Sequence, residues 1–199
     1  MRTVKFYANG KNYFLLFLVG VCLSVSQFVM IRDFVAILYG EEVVIVLVTM
    51  AFFAALSAGY SLSLRCSRKT FEILTLIAAF LHLTFPFSYR YLAVKIDALP
   101  YKGYFYLGFL FLYALIFSAM FAAFLPRLVS SGQNDAPEKN LRSFYSVELA
   151  GFGVGLLLVG WSWNKPLVQL LTVYWAMLGV ILHLAIDKKA GTALFLIGA

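Results

Sequence analysis

Residues 12–37 read NYFLLFLVGVCLSVSQFVMIRDFVAI, and from Asn12 to Ile31 no charge interrupts them. The hydrocarbon core of a bilayer is about 30 Å thick and takes about 20 apolar residues as a helix. In that medium every backbone donor and acceptor must be met within the segment, so such a run is a transmembrane helix. The alternating polarity of a barrel strand is absent. Comparable apolar runs follow at 43–64, 71–92, 104–127, 144–162 and 167–186. Gly40-Glu41-Glu42 separates the first two runs, and Arg65, Arg68 and Lys69 end the second. Asp97, Pro100 and Lys102 follow the third, the polar stretch from Ser130 to Arg142 follows the fourth, and Lys165-Pro166 follows the fifth. The expected fold is an all-α integral membrane protein, a bundle of about six transmembrane helices.

Composition agrees with this reading. Of the 199 residues 63% are hydrophobic and 13% charged, with a mean hydropathy of +0.90. A soluble domain of this length needs far more charge to cover its surface. The net charge of +7 sits in short loops beside apolar runs. Topology and anionic headgroups account for it, and no nucleic-acid partner is expected. Cys22 and Cys66 have no CxxC spacing and fall at different depths, so neither a disulfide nor a metal cluster is expected, and no cofactor. The first run is too long for a cleaved signal peptide and lacks a small-residue cleavage site.

The basic residues orient the bundle. Arg2, Lys5, Lys11, Arg65, Arg68, Lys69, Arg127, Lys139, Arg142, Lys188 and Lys189 fall on one side. Arg32, Arg90, Lys95, Lys102 and Lys165 fall on the other. The richer side is expected in the cytoplasm, with the N-terminus, in a bacterial cytoplasmic membrane. Residues 1–189 form one polytopic membrane domain. Residues 190–199 are mostly apolar but too short to span; they read as the start of a seventh helix that has been cut off, or as an interfacial tail.

Helices in lipid associate where small residues let backbones approach. Ala51, Ala55, Gly59 and Ser63 repeat every fourth residue in the second run, Ala114, Ser118 and Ala122 in the fourth, and Gly151-x-x-x-Gly155 marks the fifth. Tyr101, Tyr104, Tyr106, Trp161 and Trp163 read as an interfacial aromatic belt.

Polar groups inside the runs are the candidates for chemistry. Ser24 and Gln27 share a face of the first helix, with Arg32 and Asp33 to either side. Arg32 either snorkels to the interface or pairs with Glu41 or Glu42 to close the first hairpin. Glu148 lies about one turn inside the fifth run, at the depth of Arg127. The two are expected to pair across the hairpin; otherwise Glu148 handles a proton or cation. His82 and His183 differ in depth by roughly 12 Å at 1.5 Å per residue, too far to share one haem iron. His82 is read as a hydrogen-bonded bundle histidine and His183 as an interfacial one.

Two ordered blocks resemble a known family. Ser24-x-x-Gln27-x-x-x-x-Arg32-Asp33, Tyr39-Gly40-Glu41-Glu42 and Ala58-Gly59 look like the first hairpin of the membrane-bound spermidine synthase-like proteins, described also as fused transporter-like and spermidine synthase proteins. Asp33 stands where that family has Glu. Leu125-Pro126-Arg127 and the segment from Phe144 through Glu148 to Gly155 are similar to its second block. In that family the membrane part precedes a soluble aminopropyltransferase domain with an adenosylmethionine-binding α/β fold. No such domain lies within these residues. Gly151, Gly153 and Gly155 sit in an apolar helix and cannot cradle a nucleotide. The resemblance therefore implies a membrane domain that anchors, or supplies substrate to, an aminopropyltransferase domain absent from this chain. The chain itself carries no recognisable active site. The alternatives are a stand-alone transporter-like protein for a small cation or polyamine, motivated by Gln27, Glu42 and Glu148, and an accessory subunit that binds other membrane subunits through its small-residue stripes.

Overall fold

A computed structural model describes residues 2–38, 40–98, 102–131, 137–162 and 164–185. They form α1 (Arg2–Leu38), α2 (Glu41–Arg65), α3 (Arg68–Asp97), α4 (Lys102–Ala122), α5 (Phe124–Ser131), α6 (Pro137–Ser162) and α7 (Leu167–Ala185). No strand occurs among the described residues. Five spans are long and apolar enough to cross a membrane, and α3 makes a sixth if its bent halves count as one. The chain is an all-α membrane bundle. The proposed seventh helix at 190–199 lies outside the described residues, as do Lys188 and Lys189.

One of the expected spans is sharply bent and another is locally interrupted. α3 bends by 73° between Phe85 and Phe87. A proline at 86 has no N–H to offer the carbonyl four residues earlier, so the ladder opens there. The fourth run is divided into α4 and α5 at Ala123, whose N–H is shared between the carbonyls of Ala119 and Met120 at 3.2 Å each. Pro126, four residues after Ala122, has no N–H to offer the Ala122 carbonyl, which weakens the ladder across this turn.

α1 is the centre of the bundle. Of its apolar window 72% is buried, against 28% for the windows of α6 and α7. The outer helices turn Val46, Met50 and Phe53 of α2, Phe80 and Phe87 of α3, and Leu157 of α6 outward. Apolar surface this extensive is a liability in water and the ordinary lining of a lipid-facing helix.

The closest packing joins α1 to α6. A Cβ on Gly20 would run into the carbonyl oxygen of Glu148, and a Cβ on Gly151 into that of Phe17. One on Gly155 would meet the Ser24 Cβ at 2.7 Å. The two backbones touch, which only glycine at these positions permits. At the Gly10 end of the bundle the Tyr13 hydroxyl and Ser143 Oγ close the seam at 3.0 Å, and Tyr13 packs on Phe144.

α2 and α4 meet in the same way. Ala51 and Ala55 are fully buried, as are Ala114, Ser118 and Ala122. A Cβ on Gly59 would strike the Ala119 carbonyl and the Ala122 side chain. The small-residue stripes of the second and fourth runs thus face one another.

Candidate functional site

α1 presents different chemistry on its two faces. At about 100° per residue, Phe17, Gly20 and Ser24 point one way, and Cys22, Ser26 and Asp33 point to the opposite side, within about 40° of one another. The Gly20 face carries the seam with α6. The Cys22 face is turned toward α3, α4 and α7. Polar side chains buried around these faces form three stations.

The first station is Glu148, level with Gly20 where α1, α2 and α6 meet. The residue is 7% exposed, and Oε1 has no hydrogen-bond partner among the described residues. Tyr60 of α2 is its neighbour, and Tyr145 of α6 approaches Tyr60 in turn. Phe52 of α2 and Phe152 of α6 pack with their rings tilted farther along the same contact. The expected pairing with Arg127 is not formed. Arg127 Nη1 donates to the Cys66 carbonyl at 3.1 Å, and the guanidinium lies over the Phe71 ring at 5.6 Å. The reason is geometric. Matching depth does not choose a partner, and Arg127 on α5 lies within reach of the C-terminal carbonyl of α2 instead. A cation at the end of that helix is itself favourable.

The second station lies across α1. His82 Nε2 is 2.9 Å from the Phe117 carbonyl, and Nδ1 is bonded to the Tyr174 hydroxyl. A carbonyl can only accept, so Nε2 carries the proton and Nδ1 accepts from the phenol. The neutral imidazole, 1% exposed, thereby ties α3 to α4 and α7. Ser26 and Cys22 of α1 lie beside Tyr174. Ser26 Oγ donates to the Leu23 carbonyl at 2.9 Å. His82 is thus a hydrogen-bonded bundle histidine. Its partner Tyr174 was not legible from the sequence; the available signal was a phenol inside an apolar run, which needs a partner once buried.

The third station is at the far end of α1. Asp33 is 7% exposed, with Oδ2 unpartnered among the described residues. Tyr89 and Arg90 of α3 face it, and Arg90 Nε donates to the Tyr89 hydroxyl at 2.8 Å. Between the second and third stations lies an aromatic layer in which Phe34 meets Tyr89, Phe109 and Tyr113 edge-on, and Phe85 packs on Tyr89 and Phe117.

The remaining candidates are more peripheral. Arg32 is exposed and Gln27 half-buried. Arg32 borders a cleft of about 40 Å³ between α1, α6 and α7, with Phe28, Val159 and Ser162 in its wall. Glu42 is exposed, and among the described residues no ion pair joins it to Arg32; the ion pair found there is Arg68–Glu72 at 3.0 Å. The Glu41 side chain lies outside the described residues. In the aromatic belt Tyr104 is exposed, and Trp161 carries the Lys165 ammonium over its ring. Tyr106 instead donates to the Ala93 carbonyl at 2.8 Å and ties α4 to α3. Tyr101 and Trp163 lie outside the described residues.

Fold and stations together define a class, a polytopic helical membrane protein with ionisable groups in its interior. Comparison with family models, curated proteins and solved structures finds no match that would narrow it.

Proposed function

We propose that the chain is a transporter-like membrane protein that handles a small cation, with Glu148 as the binding carboxylate. The observation that carries this reading is the buried Glu148 side chain, whose Oε1 has no partner among the described residues. An ionisable group inside a bundle is retained against a cost of several kcal/mol, and the usual reason is function. An ion pair with Arg127 would have given Glu148 a structural role, and Arg127 is engaged at Cys66 instead. Asp33 supplies a second buried carboxyl toward the other end of the bundle. The basic-residue count favours the cytoplasmic side for the Gly10 end.

The test is cation flux in proteoliposomes containing the full chain. Protons, sodium and spermidine are offered in turn under an imposed gradient. Flux of one of them, reduced at least tenfold in Glu148→Gln, is the expected result. No flux of any of the three sinks the proposal.

A second reading has its own support. The two blocks that resemble the spermidine synthase-like family lie far apart in sequence, yet Ser24 of the first block meets Gly155 of the second at the α1–α6 seam. That favours a membrane domain serving an aminopropyltransferase. Tagged chain recovered from its native membranes would then carry aminopropyltransferase activity with it. Recovery without that activity counts against this reading and leaves the first untouched.

A further inference from the structure

We propose that the cation taken by Glu148 is a proton. This rests on the cation-handling reading and narrows it to one chemical species.

The surroundings of the carboxyl decide between three kinds of cation. A hard metal ion such as calcium or magnesium takes about six to eight oxygen ligands, or keeps several waters in their place. A titratable side chain that senses Glu148 is one phenol, Tyr60 on α2, which Tyr145 of α6 also approaches. From α1, Gly20 lies against the main-chain carbonyl of Glu148. Tyr13, lower on α1, is engaged with Ser143, and Arg127 of α5 donates to the Cys66 carbonyl. No group of three His, Cys, Asp or Glu side chains gathers anywhere among the described residues. One carboxylate and a phenol make a poor cage for a metal.

An alkyl polyamine needs room along its length and a second anion to pair its second ammonium. The next buried carboxyl, Asp33, is thirteen residues beyond Gly20, or about 20 Å along α1, and on the opposite face of that helix. The direct line along the α1–α6 seam is filled where Gly151 and Gly155 bring the two backbones into contact.

A proton needs neither cage nor channel at its binding point. It needs one lone pair that no hydrogen bond occupies, and the buried Oε1 of Glu148, unpartnered among the described residues, offers it. In the step itself a proton from water on the Gly10 side adds to Oε1, and the carboxylate becomes a neutral carboxyl. Release returns the same proton, and no other bond is made or broken. Neutralisation also removes the main cost of holding this group among apolar side chains.

The experiment is infrared difference spectroscopy on the full chain in lipid, between acid and alkaline pH and in light and heavy water. The expected result is a protonated-carboxyl stretching band that appears at acid pH, shifts in heavy water, is abolished by Glu148→Gln and persists in Asp33→Asn. Glu148→Asp, which keeps the carboxyl, should retain a displaced band and guards against misfolding of the Gln variant. A spectrum without a Glu148-dependent band overturns the proposal. So does suppression of that band by sodium or spermidine at constant pH, which would leave the cation-handling reading standing with another ion. A Glu148 band in a protein without flux supports proton binding and removes the transport reading alone.

Discussion

At the scale of single residues, the polar side chains of this bundle divide by whether a partner is within reach. His82 has both ring nitrogens engaged, by Phe117 and Tyr174. Glu148 and Asp33 each keep an oxygen with no partner. These groups should respond differently to removal. Tyr174→Phe strands His82 Nδ1 and should cost about 1–3 kcal/mol, the desolvation of an unmet buried acceptor. Adding His82→Phe removes the orphan, so thermal unfolding in mild detergent should show part of the loss restored. Glu148→Leu deletes an unmet group and should leave the melting temperature unchanged or raise it. Arg127→Leu should lower it by losing the Cys66 contact. A double-mutant cycle between positions 127 and 148 should give a coupling within about 0.5 kcal/mol of zero, as for groups without shared contacts. A coupling of several times that size would restore the ion pair that matched depth alone suggested.

At the scale of helices, two glycine-bearing interfaces hold the bundle, α1 on α6 and α2 on α4. Gly20→Val and Gly151→Val each drive a side chain into a facing backbone carbonyl. Each should cost about 1–3 kcal/mol in thermal melts, as overpacking does. Gly153 and Gly160 have open space where a Cβ would go, so Gly153→Ala and Gly160→Ala should be neutral or gain up to about 1 kcal/mol of helix propensity. Much at this scale was legible in the sequence. The spans followed from run length, and the spacing of Ala51, Ala55 and Gly59 marked a close-packing face. Which stripe meets which was not legible, because an apolar pattern gives a face but no partner. Gly20 shows the limit. One glycine in a long apolar run carries no signal until Gly151 and Phe17 are brought opposite it. Pro86 and Pro126 were a different case. Both stood in plain view inside apolar runs, and the bend of α3 and the break after α4 follow from their missing N–H groups. The three stations were half legible. Glu148, Asp33 and His82 stood out as polar residues at membrane depth, but the aromatic groups that surround or bond them resembled ordinary apolar filling.

At the scale of the whole molecule, orientation is the open quantity with the simplest check. With Cys66 replaced by serine, single cysteines at Ala98 and Ser131 should behave oppositely toward an impermeant thiol reagent on intact cells. Ala98→Cys should be labelled and Ser131→Cys protected; the reverse pattern would invert the bundle and place Glu148 nearer the outer surface. The central position of α1 also has a consequence in time. The residues that seal its seam with α6, Tyr13 and Ser143, are separated by 130 positions. Ribosomes add about 5–20 residues each second, so α1 enters the bilayer on the order of ten seconds before its closest companion is made. Throughout that interval its bare glycine ridge and its Asp33 face lipid, or whatever the insertion machinery lends them. Biogenesis of this protein is therefore governed by a waiting first helix. A chain divided between Ser131 and Pro137 and expressed as two pieces should still assemble, since the decisive contact already forms between segments that meet only after synthesis.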